Sequence, residues 1–263
     1  MAVARRLALE SRRSLLYVWL PVLLGVLWWE LPSPSSTFFP PLWVICDAFR
    51  AQWFGSQART DLVPSLEQLL VGFAGAVVVG VVLAFVLASI PTLHDLSLPL
   101  MNFFRGLPSP VIVPPLLLVF GLGSGFKIGV IILAALWPVL LNAYDAFCSL
   151  DEVQRETASS YRLSRWQRLT RVTLPAAGPQ IVAGARNALQ ISILVMVVSE
   201  MLAGNAGIGY VISVAQTDFT TAGLWAAMLL VAVLGIVLNL LFVVCERRLL
   251  AWHRGMRAVE AQA

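Results

Sequence analysis

The sequence has 263 residues, of which 59% are hydrophobic and 12% are charged, and its mean hydropathy is +0.84. A soluble domain of this length cannot bury so large an apolar fraction, so the composition excludes an ordinary soluble protein. Because backbone groups in lipid must pair within the chain, we expect an all-α, polytopic membrane protein. The formal charge of +4 is interpreted as a topology signal and not as a sign of nucleic-acid binding.

Six apolar runs approach the roughly 20 residues that a helix needs to cross a hydrocarbon core. Within a single transmembrane domain, 1–263, the predicted spans are 15–29, 69–90, 111–120, 128–141, 181–203 and 224–245. The third and fourth are short, and a five-span alternative would fuse or lose one of them. The first run follows Arg12 and Arg13 without a small-residue cleavage site, so we expect a retained signal anchor.

The basic residues are distributed unevenly between the two faces of the six-span topology. Fifteen of the eighteen Lys and Arg residues fall on one face, and Arg50, Arg59 and Lys127 fall on the other. Short cytoplasmic loops retain basic residues, so both termini are expected in the cytoplasm. On the opposite side, residues 42–49 predict a short amphipathic helix at the outer interface.

The second span carries a stripe of small residues with a spacing of four. Its members are Gly72, Ala76, Gly80, Ala84 and Ala88. This spacing places them along one face of a helix, where another backbone can approach closely. We predict a packing surface; the alternative is the general abundance of Gly and Ala in membrane helices.

Prolines and glycines surround the third span. Pro108, Pro110, Pro114 and Pro115 should distort its start, which is a candidate for pathway lining or a simple interfacial loop. Residues 121–127 are rich in glycine but lack the Gly-Lys-Ser/Thr order of a phosphate-binding loop, so they predict a tight outer turn.

The fifth span is the most polar of the six. The residues assigned to a polar conduit are Asn187, Gln190, Ser192, Met196 and Ser199. The first two share one helical face and the other three share a second strip. Polar groups in a membrane helix should face the bundle interior or water, although they can also serve as interhelical glue. Glu200, at the end of this span, is interpreted as an interfacial residue and not as a proton relay.

A polar segment at 145–180 separates the fourth and fifth spans on the predicted cytoplasmic side. Acidic residues at 151–156 favour a helix start, and a turn near 162–164 precedes a second helix from 165 to 173. Ser164 is the expected N-cap of that second helix. Two short helices of this kind predict a knob by which a soluble partner could move the membrane part.

The same segment carries a recognisable signature. Its residues are Glu156, Ala158, Tyr161, Arg162, Leu174 and Pro175. Their spacing resembles the coupling loop of the membrane subunits of ATP-binding-cassette importers, which reads E-A-A, three residues, G, nine residues, I-x-L-P. The stretches Ser65-Leu66-Glu67 and Gly207-Ile208-Gly209-Tyr210 are similar to the branch that handles nitrate, sulfonates and taurine.

The resemblance implies a type I importer permease fold and a non-catalytic membrane subunit. The loop would dock on a cytoplasmic ATPase, with Glu156, Ala158 and Tyr161 at or near the contact. ATP and Mg²⁺ would bind to that ATPase, so this chain would hold no cofactor and no metal. A second permease copy in a homodimer and an extracytoplasmic solute-binding protein would complete the importer. The assembly would lie in the bacterial cytoplasmic (inner) membrane and move a small solute, such as a sulfonate or nitrate anion.

The sequence departs from the signature at two positions. Thr157 replaces the second Ala, and Arg162 replaces the Gly. Glycine adopts a left-handed turn freely, whereas a residue with a Cβ pays on the order of 1 kcal/mol. Either the turn is built differently here, or Arg162 accepts the strain while reaching an acidic partner.

Two other classes of function remain as alternatives. A self-contained secondary transporter or channel would usually place charges inside the membrane and show related halves, and no internal repeat is evident. A membrane-embedded enzyme would need a catalytic motif. The two histidines, His94 and His253, are far apart, and neither H-E-x-x-H nor G-x-S-x-G occurs.

Overall fold

The computed structural model describes residues 19–149 and 160–252, apart from positions 21, 31, 33–35 and 37, and all regular structure within them is helical. The principal helices are α1 (22–30), α2 (Leu42–Trp53), α3 (Val63–Ser89), α4 (Pro91–Arg105), α5 (Val113–Phe120), α6 (Ser124–Cys148), α7 (Leu174–Ala203), α8 (Ile208–Thr217) and α9 (Thr221–Leu249). The all-α fold class expected from the composition is confirmed.

Four of the described helical stretches are long and apolar enough to cross a membrane. They are Ala58–Ser89, Ser124–Cys148, Trp166–Ala203 and Thr221–Leu249. Each begins before the span predicted for it. The run predicted at 111–120 forms the shorter apolar stretch Ser109–Phe120, which falls below the roughly 20 residues of a crossing helix. Residues 15–18 of the first predicted span lie outside the described residues.

The helix boundaries between α3 and α4 follow from proline chemistry. Ile90 is extended, with φ −114° and ψ 110°, because a residue that precedes a proline is disfavoured in the α region. Pro91 then begins α4. The first N–H groups of a helix have no acceptor within the helix, so a proline at this position costs no hydrogen bond. The sequence patterns did not predict α4, since Pro91 and Pro99 both argue against a helix there.

The described residues divide into two compact units, one within 1–59 and 211–230 and the other within 60–210 and 231–263. The described core of the first unit is aromatic. Trp28, Phe39 and Trp225 have ring centroids 5.0 to 5.3 Å apart, mostly edge to face. Both indole N–H groups donate to backbone carbonyls, at 3.3 Å to Pro40 O and 3.1 Å to Phe38 O. The aromatic rings therefore pack without leaving those donors unpaired.

In the second unit, α6 is the central helix and packs along both α3 and α7. A Cβ built on Gly72 would lie 2.6 Å from Ile131 Cγ2, and one built on Gly80 would lie 2.9 Å from Val139 Cβ. On α7, a Cβ built on Gly184 would lie 2.8 Å from Pro138 O. Glycine at these positions allows helix backbones to approach more closely than any side chain would permit.

The stripe of small residues on α3 lies along the contact with α6. Gly72, Ala76, Gly80 and Ala84 are buried. Ala76 packs with Ala135, Val139 and Ala188, and Ala84 joins a larger cluster that includes Phe147. Ala88 is half-buried against that second cluster.

A buried polar cluster, here called the α8 cap, joins the beginning of α3, the end of α7 and the start of α8. Three side chains accept hydrogen bonds from three successive amides: Asp61 Oδ1 from Gly207 N at 2.9 Å, Ser65 Oγ from Ile208 N at 3.0 Å, and Glu200 Oε2 from Gly209 N at 2.9 Å. The first amides of a helix have no intrahelical partner, so the cap satisfies groups that would otherwise be orphaned.

Glu200 is the centre of the α8 cap. Its side chain is 1% exposed, and Oε1 accepts a 2.6 Å hydrogen bond from Ser65 Oγ. Gly207 has φ +115°, and a Cβ on Gly207 or Gly209 would collide with Glu200 or its neighbours. The folded 207–209 segment thus encloses the carboxylate of Glu200, which the sequence analysis expected only at the end of the fifth span.

The close approach of α3 to α6 predicts the effect of a large residue in the stripe. Gly80→Leu forces Val139 and its neighbours apart, and overpacking of this kind costs about 1–3 kcal/mol. We expect a lower thermal unfolding temperature for the variant in detergent. Gly129→Leu is the matched control, since nothing lies within 4 Å of a Cβ at that position. Equal losses in the two variants would contradict the packing account.

The α8 cap predicts a difference between two fully buried serines. Ser65→Ala removes the partner of both Glu200 Oε1 and Ile208 N, and leaving such groups unpaired costs about 1–3 kcal/mol. Ser192→Ala removes only a hydrogen bond to Ala188 O within its own helix. We expect Ser65→Ala to lower the unfolding temperature more and to speed hydrogen exchange at 207–209. Indistinguishable variants would argue against the cap.

Candidate functional site

The described part of the polar 145–180 segment contains a reciprocal helix cap. Ser164 Oγ accepts from Gln167 N at 3.3 Å, and Gln167 Oε1 accepts from Ser164 N at 3.0 Å. This is a capping box, which satisfies two amides at the start of a helix. The short helix Arg165–Arg168 follows it. The prediction of Ser164 as an N-cap is therefore confirmed.

The turn before this cap keeps the shape that glycine would favour. Arg162 has φ +49°, in the left-handed region that costs a residue with a Cβ on the order of 1 kcal/mol. The sequence left two alternatives, a turn built differently or a strained backbone at Arg162. The observed backbone is strained at Arg162. Its neighbours Tyr161 and Trp166 are 77% and 72% exposed. Glu156 and Ala158 lie outside the described residues.

The segment continues into α7 without a break in the helix. A π-helical turn, Leu169–Thr173, leads directly into α7, and Pro175 lies in the first turn of that helix. A π turn changes the local hydrogen-bond pattern, which allows a proline to follow without breaking the rod. Leu174 packs against the cluster that contains Ala177. Because α7 has 30 residues, it is about 45 Å long and reaches from this segment to the α8 cap.

The five residues predicted for a polar conduit occupy two different environments on α7. Asn187 and Gln190 are exposed. The other three, Ser192, Met196 and Ser199, are fully buried. The two serine hydroxyls donate to carbonyls of the same helix, at 2.8 Å to Ala188 O and 2.9 Å to Met196 O. In this conformation, only the strip formed by Asn187 and Gln190 is exposed, and the strip formed by the other three residues is buried.

Sequence reasoning missed the contacts at the other end of α7, although it noted Ser65 and residues 207–210 for their resemblance to the family. Asp61 and Ser65 belong to the α8 cap, and Lys127 donates a 3.2 Å hydrogen bond from Nζ to Ala206 O. These partners are separated by 79 to 146 positions along the chain, so no local periodicity reveals them. A local signal was the Gly-Ile-Gly run at 207–209, whose glycines permit the close approach of Glu200.

The polar side chains of the 145–180 segment, of α7 and of the α8 cap do not form a metal site among the described residues. Within 19–149 and 160–252, no group of three or more His, Cys, Asp or Glu side chains could hold a metal ion.

The comparisons with known proteins agree with this architecture. Residues 76–251 match the family model described as binding-protein-dependent transport system inner membrane component. The chain is 27% identical over 252 residues to the taurine transport system permease protein TauC of Escherichia coli, covering 92% of this chain and 91% of that protein. It is 29% identical over 179 residues to the nitrate import permease protein NrtB of Synechocystis, covering 68% and 65%.

The fold also resembles a solved transporter. The inward-facing MetNI methionine ABC transporter contains a chain that matches with a TM-score of 0.61 and 17% identity, covering 73% of this protein and 95% of that chain. Since the family model spans well over half of the sequence, the assignment rests on the sequence as well as on the fold. The chain belongs to the family of binding-protein-dependent transport system inner membrane components, the permease subunits of ATP-binding-cassette importers.

Proposed function

We propose that this permease imports a small solute with an oxyanion group, of the sulfonate or nitrate class, with energy from a separate ATPase that docks on the 145–180 segment. The observation that carries the docking site is the exposure of Tyr161 and Trp166 beside the capped turn at Ser164. Large exposed aromatic side chains at a fixed position are typical of protein interfaces. The taurine and nitrate permeases named above support the class of solute.

The proposed orientation follows from the basic residues. With both termini in the cytoplasm, the 145–180 segment faces the cytoplasm and the α8 cap faces outward. ATP and Mg²⁺ would then bind to the ATPase, and an external binding protein would deliver the solute near the α8 cap. A second copy of this chain would complete the pathway as a homodimer, and the chain itself would be non-catalytic.

The proposed mechanism is alternating access. Closure of the ATPase subunits displaces the docked segment, and the continuous helix from Trp166 to Ala203 carries that displacement along its length. Asn187 and Gln190 are the residues assigned to the pathway, since they form the exposed polar strip of α7. Ser192, Met196 and Ser199 instead stabilise the contact of α7 with its neighbours in this conformation.

Reversal of charge at the signature glutamate tests the docking proposal. We expect Glu156→Lys to insert normally but to lose co-purification with the ATPase and at least about tenfold of ATP-driven taurine uptake, since an unpaired interface charge costs about 2–5 kcal/mol. Glu260→Lys, the same reversal near the end of the chain, is the control. Full uptake by Glu156→Lys would refute the docking site. Taurine flux through the purified wild-type chain without any ATPase would instead favour a self-contained transporter.

The left-handed backbone at Arg162 gives a second prediction. Arg162→Gly relieves the strain, so we expect full uptake and a small gain in stability, on the order of 1 kcal/mol. Arg162→Val places a β-branched residue at φ +49°, and we expect it to distort the turn and to weaken ATPase binding. The two variants remove the same charge, so equal loss in both would show that the guanidinium, and not the turn, makes the contact.

A further inference from the structure

A cavity of about 510 Å³ lies among the start of α3, the start of α6 and residues 202–206, at and just after the end of α7. Its volume is within the range of about 300–1,000 Å³ that is typical of small-molecule sites. The polar side chains on its walls are those of Gln68, Ser124, Lys127 and Asn205. The cavity belongs entirely to the 60–210 part of the second unit, and it is separate from the polar strip of α7.

Lys127 gives this cavity its charge. It is the only lysine in the sequence, and it is 6% exposed. An ammonium group has three N–H donors, and within the described residues one of them is used, by Ala206 O. A buried cation is costly unless it is paired or hydrogen-bonded, so an ammonium on a cavity wall with donors to spare favours an anionic occupant.

The neighbouring carboxylates do not line the cavity. Glu200 is close enough to Lys127 to interact with it electrostatically. However, its two oxygens accept from Ser65 and Gly209, and those of Asp61 accept from Gly207 and Thr60. Neither residue lines the cavity, and no other Asp or Glu among the described residues does so. Lys127 is therefore the only charged side chain among the residues that line the cavity.

The N-terminus of α6 adds neutral donors on the same wall. Gly123 and Ser124 line the cavity, and the first backbone hydrogen bond at that end joins Lys127 N to Gly123 O at 3.3 Å. The preceding amides of α6 have no partner within the helix, and helix N-termini favour anions. Nothing lies within 4 Å of a Cβ placed on Gly123 or Gly125, so this end of α6 is open.

We propose that this cavity is an anion-binding site that receives the oxyanion group of the solute, with Lys127 as its charged ligand. The proposal rests on the proposed function, because the orientation given there places this end of α6 on the outer side, where solute arrives. The two classes of solute, sulfonates and nitrate, have in common a small oxyanion group that this cavity would bind.

The site is tested by measuring the binding of methanesulfonate to the purified full-length permease. Saturation-transfer NMR of the methyl protons of methanesulfonate reports the binding. Dimethyl sulfone is the matched neutral probe, because it has a similar shape without the charge. We expect a signal for methanesulfonate that nitrate displaces, and none for dimethyl sulfone. Equal signals for the two probes, or no methanesulfonate signal, would overturn the proposal.

Two variants connect that signal to the cavity. Lys127→Met should weaken methanesulfonate binding by roughly tenfold or more, since it removes a charged hydrogen-bond donor, whereas Lys127→Arg should retain binding. Ser124→Asp keeps the protein folded, because an acidic residue is favourable in the first turn of a helix, but its carboxylate occupies the donors. Ser124→Asn is its neutral control. Unchanged binding in Ser124→Asp would overturn the proposal even if Lys127→Met fails to fold.

The outcome for the site is distinguishable from the outcome for the proposed function. ATP-driven taurine uptake by the reconstituted wild-type complex, together with absent or unchanged anion binding in these assays, would overturn the anion site and leave the importer intact. Taurine flux without the ATPase would overturn the importer itself, whatever the NMR experiment shows.

Discussion

The close approach of α3 and α7 to α6 is the constraint on which the second unit depends. Gly72, Gly80 and Gly184 lie where a Cβ would overlap Ile131, Val139 or the α6 backbone. In lipid, helices gain little from the hydrophobic effect when they associate, so close van der Waals packing stabilises the contact instead. This packing fixes α3 and α7 against α6, and the start of α3 and the end of α7 then meet at the α8 cap.

The two ends of α7 have different chemistry. At Ala203 it leads into residues 204–209, whose amides donate to Asp61, Ser65 and Glu200. At Leu174 it continues from a π-helical turn and an exposed, capped segment. One end is therefore fixed by a fully buried network, in which every lost hydrogen bond is costly, and the other is available to a partner. A rigid rod with one fixed and one accessible end suits a subunit that is moved by another protein.

The features that the sequence predicted are those with local causes. The α3 stripe follows from a spacing of four, and the Ser164 cap follows from the residue types at a helix start. The burial of Glu200 could not be predicted in this way, because its partner Ser65 is 135 positions away. The helix α7 begins before the predicted span at 181–203, a start that Pro175 and Pro179 argue against. Pro175 is in the first turn of α7, directly after the π turn, and Pro179 lies inside the helix.

The sidedness of the two ends of α7 tests the central claim most directly. A variant without Cys46, Cys148 and Cys245 would carry either Ser160→Cys or Asn205→Cys, both at exposed positions, and would be labelled with a membrane-impermeant maleimide. The account predicts that Asn205→Cys reacts in spheroplasts and Ser160→Cys reacts only in inside-out vesicles. Labelling of Ser160→Cys from the outside would contradict it, because no cytoplasmic ATPase could then reach the 145–180 segment.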